Sequence, residues 1–482
     1  MFEFFNLGEV PALPWKKKVA SSLSDTVIKF ETKHSKTEKF TYQDCFRGIQ
    51  VFGTTGSGKT SGSGQKIALS YLKAGFGGLV LAVKSDEAET WINYAKASGR
   101  EKDLIIVSPE SGLSFNFLKE SGEIKAQQVM NITQLIMDVY ALYSRDGSKS
   151  GQDSFWQDQL QSCLSHCITL ASAQAAGVSV QTIIQLFDLA IEHADQFALN
   201  LASKKTSKLE ILCGELKKSR LEIPGLHLAS EYFLGSFKNL PEKTRSIIIA
   251  MMKSIFEPLE HFPLNLLFGD KTEVSPASIL SGKIVVIDVS IHEYRKAGLL
   301  CQLIWKSAFM NAVTRRKNVD TAVFLWADES QYFVEERDIQ FLTTARSKKC
   351  AVVYLTQNVS NYESALGNES KVAAILGSLN TKIFHQNNDP KTNQLASKSI
   401  GKIKKTNVSY SGKPGILGIL SGSERTKTIS KTLQDEVCER DLIALRSGGK
   451  QSNYLVEAVI HSPGHSTSDK GNWFFAKFDQ RQ

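Results

Sequence analysis

Cysteine pairs and long apolar runs are missing from this sequence of 482 residues. Its seven cysteines include no Cys-x-x-Cys pair and are odd in number, which disfavours both a disulfide scaffold and a zinc-ribbon site. No apolar run reaches the roughly 18 residues that a membrane-spanning helix needs. The N-terminus also lacks the basic segment and apolar core of a secretory signal. These absences predict a cytoplasmic protein.

Charge of one sign is not in large excess either. Lys and Arg total 58 against 49 Asp and Glu, which gives a formal net charge of +9. A surplus of this size permits a polyanionic partner without requiring one. Hydrophobic residues make up 42% of the chain, enough to build large cores, and the length predicts two or three domains.

Short apolar runs alternate with helical patterns in two parts of the chain. This alternation predicts an α/β fold with a mostly parallel central sheet. Between the two parts, apolar residues recur at helical spacing, which predicts an inserted all-α domain. The predicted divisions are an N-terminal arm or strand (1–47), a first α/β part (48–122), the helical insertion (123–240) and a second α/β part (241–482), which ends in a polar tail after a strand at 454–460.

A glycine-rich turn joins the first strand of the α/β part to a helix, and it fits the phosphate-binding pattern GxxxxGK[ST] without a mismatch. The backbone N–H groups of such a loop surround a phosphate, and the helix N-terminus adds partial positive charge. Lys59 is predicted to reach the β- and γ-phosphates, and Thr60 to bind Mg²⁺. The residues that predict a site for ATP and Mg²⁺ are Gly53, Thr54, Thr55, Gly56, Ser57, Gly58, Lys59 and Thr60.

Two carboxylates follow the apolar strand predicted at 321–327. Asp328 is predicted to hold the Mg²⁺ shell, and Glu329 to polarise the attacking water. A competing strand ends in Asp288, but Val289 follows it, so the second acid is missing there. We therefore expect Asp288 at the same edge of the sheet, close to the nucleotide but not as a metal ligand.

Two further polar residues flank the next strand. Gln357 follows that strand, at the edge where a doubly wound sheet binds its ligand, so we expect it to sense the γ-phosphate or to orient water. The alternative is an amide satisfied within a loop. Arg346 precedes the strand, on the opposite edge, so it is poorly placed for its own nucleotide and suits a neighbouring subunit as an arginine finger. The alternative there is a solvated basic loop.

Residues 398–431 combine many basic residues with glycine, serine and Tyr410, and they include a single acid, Glu424. This composition predicts an exposed hairpin or loop that follows a nucleic-acid backbone, with Tyr410 available for stacking. A solvated hairpin without a ligand is the alternative. The basic residues are Lys398, Lys402, Lys404, Lys405, Lys413, Arg425, Lys427 and Lys431.

The order of these motifs resembles the TraD/TraG/TrwB-type coupling ATPases of conjugative type IV secretion, within the FtsK–HerA group of RecA-like motors. Smaller features agree over residues 45–445. The segments 114–118, 154–156 and 243–246 resemble an Asn-Pro-Leu segment, an opening Phe-Trp and a re-entry motif, although Phe117 stands where proline is usual. Lys84-Ser-Asp-Glu87 matches the family's Asp-Pro-Lys-Gly-Glu only in part.

The resemblance implies a RecA-like P-loop NTPase that assembles as a ring, expected to be a homo-hexamer, with nucleotide between subunits. It implies an ATPase that recruits or pumps DNA, single-stranded in the favoured version, with a relaxase or effector and inner-membrane components of the secretion system as partners. The sequence departs from the family in lacking transmembrane helices. We therefore expect either that a partner recruits the protein to the inner membrane, or that the motor works in the cytoplasm on other DNA. A protein-secretion ATPase and a non-hydrolysing, nucleotide-gated recruitment platform remain as alternatives.

Overall fold

The computed structural model describes residues 22–119, 126–143, 153–199, 206–218, 223–411, 426–467 and 471–481. Thirteen strands lie in this described part: β1 Thr26–Thr32, β2 Thr37–Thr41, β3 Ile49–Phe52, β4 Gly77–Leu81, β5 Leu104–Val107, β6 Ile284–Ile287, β7 Val323–Ala327, β8 Cys350–Thr356, β9 Thr381–Phe384, β10 Lys402–Ser411, β11 Thr426–Asp435, β12 Leu455–His461 and β13 Trp473–Asp479. Its α-helices are α1 Tyr42–Cys45, α2 Gln65–Lys73, α3 Glu87–Ser98, α4 Ala126–Tyr143, α5 Asp153–Ser172, α6 Val180–Leu199, α7 Lys208–Lys218, α8 Leu226–Glu231, α9 Glu242–Phe256, α10 Leu264–Leu267, α11 Pro276–Leu280, α12 Ile291–Arg315, α13 Glu336–Ala345, α14 Val359–Leu366, α15 Glu369–Ser378, α16 Pro390–Ile400 and α17 Glu439–Ile443.

Eleven of these strands form one sheet in the order β2-β1-β13-β12-β9-β3-β8-β7-β4-β6-β5. From β9 to β5 all neighbours are parallel, and from β9 to β2 all neighbours are antiparallel. The predicted α/β class with a mostly parallel central sheet is therefore confirmed. Because the parallel strands point the same way, the residues that follow β3, β4, β7 and β8 meet at one edge.

The parallel strands are continuous apolar runs because helices cover both faces of the sheet. In β7, Leu325 packs into a core with α4, α5, α9 and α12, whereas Phe324 and Trp326 pack into a second core with α2 and α3. Successive side chains of a strand point to opposite faces, so a polar residue inside a strand that is buried on both faces needs a hydrogen-bond partner. Gln50 in β3 is such a residue, and its Oε1 accepts from Tyr362 Oη at 2.8 Å. Polar residues at the strand ends remain available to a ligand.

Helices account for the regular structure that is described between residues 123 and 240. Helices α4 to α8 lie there, together with a π-helical segment at Tyr232–Phe237. Their apolar faces join the core beneath one face of the sheet, in which α4 packs against α12. The domain boundaries at 122 and 240 stay a prediction. Among the described helices, none is both long enough and apolar enough to cross a membrane.

The predicted polar tail is wrong. After β12, the chain forms β13, in which Phe474, Ala476 and Phe478 are buried in the core on the α2 and α3 side. Buried and half-buried side chains alternate along Trp473–Asp479, and the half-buried face carries Trp473 and Phe475 as well as Lys477 and Asp479. At the other end of the chain, the predicted strand of the N-terminal arm is confirmed as β1, which pairs with β13. Residues 1–21 lie outside the described part.

The basic segment contains a separate two-stranded antiparallel sheet, β10–β11. Its described side chains are exposed, so the prediction of an exposed hairpin is confirmed. Lys398 precedes the hairpin and lies on α16. Lys413 and Arg425 lie outside the described residues, and the side chain of Tyr410 is not described either.

Candidate functional site: a nucleotide-binding cavity

The glycine-rich turn between β3 and α2 has the geometry of a phosphate cradle. Gly56 and Gly58 have φ angles of +77° and +82°, which side-chain-bearing residues rarely adopt. A Cβ atom on Gly58 would also lie 2.5 Å from Val456 Cγ2, so only glycine fits there. The chain continues through a π-helical turn at Thr60–Gly64 into α2. The N-terminus of this helical run therefore faces the turn.

Side chains within the turn hold its shape and leave polar atoms for a ligand. Thr54 Oγ1 donates to Gln386 Oε1 at 2.7 Å, which ties the turn to the segment after β9. Ser57 is buried, and its Oγ has no hydrogen-bond partner. A buried polar atom left unpaired calls for an explanation, and a bound anion or water supplies one. The cradle therefore fits a phosphate group.

The turn and the acid pair meet through two side-chain contacts. Lys59 Nζ lies 3.0 Å from Glu329 Oε1, and both side chains are buried. Thr60 Oγ1 donates to Asp328 Oδ2 at 3.0 Å. Hydroxyl and carboxylate oxygens are ligands that Mg²⁺ accepts, so Thr60 and Asp328 are the residues placed to hold one. The four residues come together because β3 and β7 end at the same edge of the sheet.

Glu329 is held in an unusual backbone conformation by several partners. Its φ and ψ angles are 49° and 48°, in the left-handed region, which costs a non-glycine residue roughly 1–3 kcal/mol. Gln331 Nε2 donates to Glu329 Oε2 at 2.9 Å, and Gln331 Oε1 accepts from Thr356 Oγ1 at 2.7 Å. Gln331 therefore connects Glu329 to the end of β8. Burial raises the pKa of Glu329, but the charge of Lys59 and the hydrogen bond from Gln331 outweigh it and lower the pKa overall.

The segment after β4 adds charge beside Asp328. Lys84 Nζ lies 4.0 Å from Asp328 Oδ2 and is partly exposed to the cavity. Glu87 is buried and accepts a hydrogen bond from Trp91 Nε1 at 3.2 Å. Burial and the charge of Asp328 raise the pKa of Glu87 to about 8. Lys84 and Glu87 therefore both lie close enough to Asp328 to interact with its charge.

An open cavity of about 450 Å³ lies over these groups, a size typical of a small-molecule site. Its wall combines the turn, the strand ends and one side of α3. The lining residues are Thr55, Gly56, Gly58, Lys59, Thr60, Ser61, Gln65, Lys84, Thr90, Tyr94, His292, Glu329, Gln331, Tyr332 and Gln357. Gln357 is therefore in the cavity wall, at the edge where the sequence placed it.

Arg346 and Asp288 do not line this cavity, although Asp288 lies at the same edge of the sheet, as predicted. Arg346 is exposed at the C-terminus of α13, before β8 begins, whereas Gln357 follows the end of β8. The seven residues of β8 span about 23 Å at roughly 3.3 Å per residue, so Arg346 is at the opposite edge of the sheet. Asp288 follows β6, and burial together with the charges of Glu110 and Glu293 raises its pKa. Neither residue contributes to the cavity wall.

Sequence reasoning missed Lys84 and Gln331 as site residues. Lys84 lies three residues after the end of β4. Because β4 pairs with β7, this position is next to the acid pair that follows β7. The rule that located Gln357, a polar residue just after a parallel strand, would have found Lys84 as well. Gln331 carried a weaker signal, its position two residues after Glu329, and its link to Thr356 depends on the pairing of β7 with β8.

Comparisons with known proteins agree with this arrangement. The family model described as "TraM recognition site of TraD and TraG" matches residues 322–445, which include β7 and the acid pair. The unbound bacterial conjugative coupling protein TrwBΔN70 has the same fold, with a TM-score of 0.61 and 15% sequence identity over 97% of this chain and 93% of that chain. The expected resemblance to the TraD/TraG/TrwB-type coupling ATPases is confirmed.

Solved structures of TrwB with ligands have the same fold. The complex of TrwB with ADP and Mg²⁺ matches with a TM-score of 0.59 and 14% identity over 97% of this chain and 93% of that chain. The complex with a non-hydrolysable ATP analogue also gives 0.59 and 14%, over 98% of both chains. A comparison with curated protein sequences found no match. The TrwB-like fold, including the helices between its two α/β parts, thus extends over nearly the whole chain.

Proposed function

We propose that this chain is an ATP-driven coupling ATPase of a type IV secretion system, which recruits or pumps DNA to a conjugation channel. One observation carries the proposal: in a TrwB-like fold, a single cavity combines the phosphate cradle, Lys59, the Asp328–Glu329 pair and Gln357. TrwB itself is known in complex with ADP and Mg²⁺ and with an ATP analogue. These complexes support ATP and Mg²⁺ as the ligands of this cavity.

The contacts of Lys59 suggest how binding prepares hydrolysis. Lys59 neutralises Glu329, with its Nζ 3.0 Å from Glu329 Oε1. When Lys59 turns to phosphate oxygens, Glu329 loses that partner and keeps the hydrogen bond from Gln331. Glu329 is then a carboxylate with a fixed orientation, free to accept a proton from water. Thr60 and Asp328 would hold Mg²⁺, which would neutralise charge on the phosphates.

Arg346 serves a neighbouring subunit in this proposal. It is exposed at the edge of the sheet opposite to its own cavity, so a copy of the chain must bring it to another site. Head-to-tail association that closes on itself gives a ring, and we propose a homo-hexamer. An arginine supplied in this way stabilises the charge of the transferring phosphoryl group.

The partners we propose are DNA, a relaxase or effector, and inner-membrane components of the secretion system. The family description of residues 322–445 supports a protein partner for that region, since in TraD and TraG it is a recognition site for TraM. This region begins next to the acid pair and contains Gln357. A partner bound there would lie on the elements that respond to ATP.

Steady-state ATP hydrolysis tests the proposal. The wild-type chain should hydrolyse ATP, and single-stranded DNA should raise kcat severalfold more than duplex DNA does. Glu329→Gln should lower kcat at least about a hundredfold, because it removes the general base, while ATP binding persists. Glu363→Gln, a matched change on α14 away from the cavity, should leave kcat unchanged.

The other outcomes select the alternatives. ATP hydrolysis that no DNA stimulates would contradict DNA pumping and favour a protein-secretion ATPase. ATP binding without any turnover would favour a nucleotide-gated recruitment platform. Unchanged turnover in Glu329→Gln would remove Glu329 from the role of base.

A further inference from the structure

The register of the β10–β11 hairpin separates its side chains into two unlike faces. Alternate residues of a strand point to opposite faces, and residues paired across the strands share a face. Pairs on the first face, which we call the lysine face, are Lys402–Asp435, Lys404–Leu433, Thr406–Lys431, Val408–Ile429 and Tyr410–Lys427. Pairs on the second face, which we call the hydroxyl face, are Ile403–Gln434, Lys405–Thr432, Asn407–Ser430, Ser409–Thr428 and Ser411–Thr426.

The lysine face is a regular ladder of positive charge. Four of its five successive pairs contain one lysine, and every one of these lysines is exposed. No two of them are paired directly across the strands, so they do not compete for one position. Only Lys402 faces an acid, Asp435, at 4.0 Å, where both side chains are well exposed and the ion pair is weak. The hydroxyl face carries the single charge of Lys405.

The spacing of the ladder suits a sugar–phosphate backbone. Successive pairs on one face of an antiparallel strand are about 7 Å apart, since each residue advances about 3.4 Å. This step is twice the roughly 3.4 Å that separates successive phosphates along the axis of one strand in a DNA duplex. An extended polyanion that lies along the hairpin therefore meets a lysine at almost every step, whereas the hydroxyl face offers one.

An apolar step within the ladder favours single-stranded DNA over the outside of a duplex. Val408 and Ile429 are paired across the strands and are 44% and 57% exposed. Leu433, on the same face, is 64% exposed. A duplex shows its backbone outward, but a single strand can lay bases and sugars against aliphatic side chains. Membrane-surface segments typically add tryptophan or phenylalanine, and the described side chains of this face include neither.

We propose that the lysine face of the β10–β11 hairpin binds the backbone of single-stranded DNA. The proposal rests on the proposed function, which requires a DNA contact, and it assigns that contact to one face of one element. Substitutions on the hydroxyl face can then serve as controls for substitutions on the lysine face, because the described side chains of both faces are exposed and lie on the same strands.

Two double variants test the assignment with equal changes of charge. Lys404→Gln/Lys431→Gln removes two steps of the ladder, whereas Lys398→Gln/Lys405→Gln removes one lysine from α16 and one from the hydroxyl face. We expect the first variant to weaken binding of a fluorescent single-stranded oligonucleotide about tenfold or more. The slope of log K against log salt should fall by about 1.4, because two phosphate contacts are lost at about 0.7 each. The second variant should bind within about twofold of wild type.

Equal losses in both variants would overturn the assignment, since they would indicate net charge rather than a face. Two further measurements test the other possible partners of the lysine face. Binding to phosphatidylcholine–phosphatidylserine vesicles tests a membrane surface, and the oligomeric state tests a second copy of the chain. A loss of vesicle binding or of self-association in the first variant, with DNA binding intact, would also overturn it. Wild-type protein that binds no DNA and shows no DNA-stimulated hydrolysis would contradict the proposed function itself. If the wild-type protein binds DNA and shows DNA-stimulated hydrolysis, and the first variant has no defect, only the role of the hairpin is contradicted.

Discussion

At the scale of single residues, Gln331 has the most clearly defined role, because its two hydrogen bonds connect Glu329 to Thr356. Its amide donates to Glu329 and accepts from Thr356, so it is the link between the acid pair and the strand that ends at Gln357. Hydrogen bonds to charged groups contribute about 1.5–3 kcal/mol. Gln331 thus fixes the carboxylate that the proposed mechanism needs once Lys59 has left it.

Replacing Gln331 tests this link. Gln331→Met keeps the length of the side chain but removes both hydrogen bonds, so kcat should fall about tenfold to a hundredfold. ATP affinity should change little, because the phosphate cradle is untouched. Gln340→Met, the same substitution at an exposed position of α13, is the control and should behave as wild type. An equal loss of ATP binding and turnover would show that Gln331 supports the fold of the cavity rather than the orientation of Glu329.

The burial of His385 predicts a pH-dependent stability. It is fully buried behind the glycine-rich turn, where its Nε2 lies 2.7 Å from Ser63 Oγ. Burial and the nearby charge of Lys59 lower the pKa of His385 to about 3, well under the usual value near 6.5. Between these two values the unfolded chain binds a proton that the folded chain does not, so stability falls as pH falls below about 6.5.

Chemical denaturation at pH 7, 6 and 5 measures this effect. The free energy of unfolding should decrease with falling pH, and His385 should contribute up to about 1.4 kcal/mol per pH unit. His385→Gln should flatten the dependence by as much as one proton, although it also changes stability at neutral pH. His34→Gln, at an exposed position of the loop between β1 and β2, should leave the slope as in wild type. A slope that is the same in all three proteins would contradict this role.

At the scale of elements, the sequence was sufficient where the signal is local. The turn at residues 53–60 and the apolar strand before Asp328 are each a short pattern with a specific chemistry, and both were placed correctly in the fold. Helical spacing likewise identified the helices between 123 and 240. Parallel strands that are buried on both faces, such as β6 and β7, consist of an unbroken apolar run, and this pattern predicts a strand clearly.

The sequence patterns did not predict which strands pair with each other when those strands are far apart in the chain. The residues of β13 were predicted to belong to a polar tail, although this seven-residue segment begins with four apolar residues. It becomes a strand because β1 and β12 pair with it on either side. The contact of Gln331 with Thr356 similarly requires that β7 and β8 are neighbours. Assigning the residues of the basic hairpin to its two faces requires the register of β10 and β11, which cannot be derived from composition.

At the scale of the whole molecule, the two edges of the sheet divide the proposed chemistry between subunits. The cavity with Lys59 and Glu329 opens at the carboxyl ends of the parallel strands. Arg346 is exposed at the other edge, about the length of β8 away. A single chain therefore has every element of the proposed hydrolytic site except its arginine. In the proposed mechanism a head-to-tail neighbour supplies it, which would make activity a property of the assembly.

Mixing two inactive variants tests this division. Lys59→Ala removes the phosphate contact, and Arg346→Ala removes the arginine, so each homogeneous assembly should have little activity. In an equimolar mixture that assembles as a ring, about a quarter of the interfaces pair an intact cavity with an intact arginine. Activity should therefore reappear, at roughly a quarter of the wild-type kcat per subunit. Arg440→Ala, at an exposed position on α17, should be fully active by itself. No recovery on mixing, despite shared assemblies, would place the action of Arg346 within its own subunit and would contradict an arginine supplied across the interface.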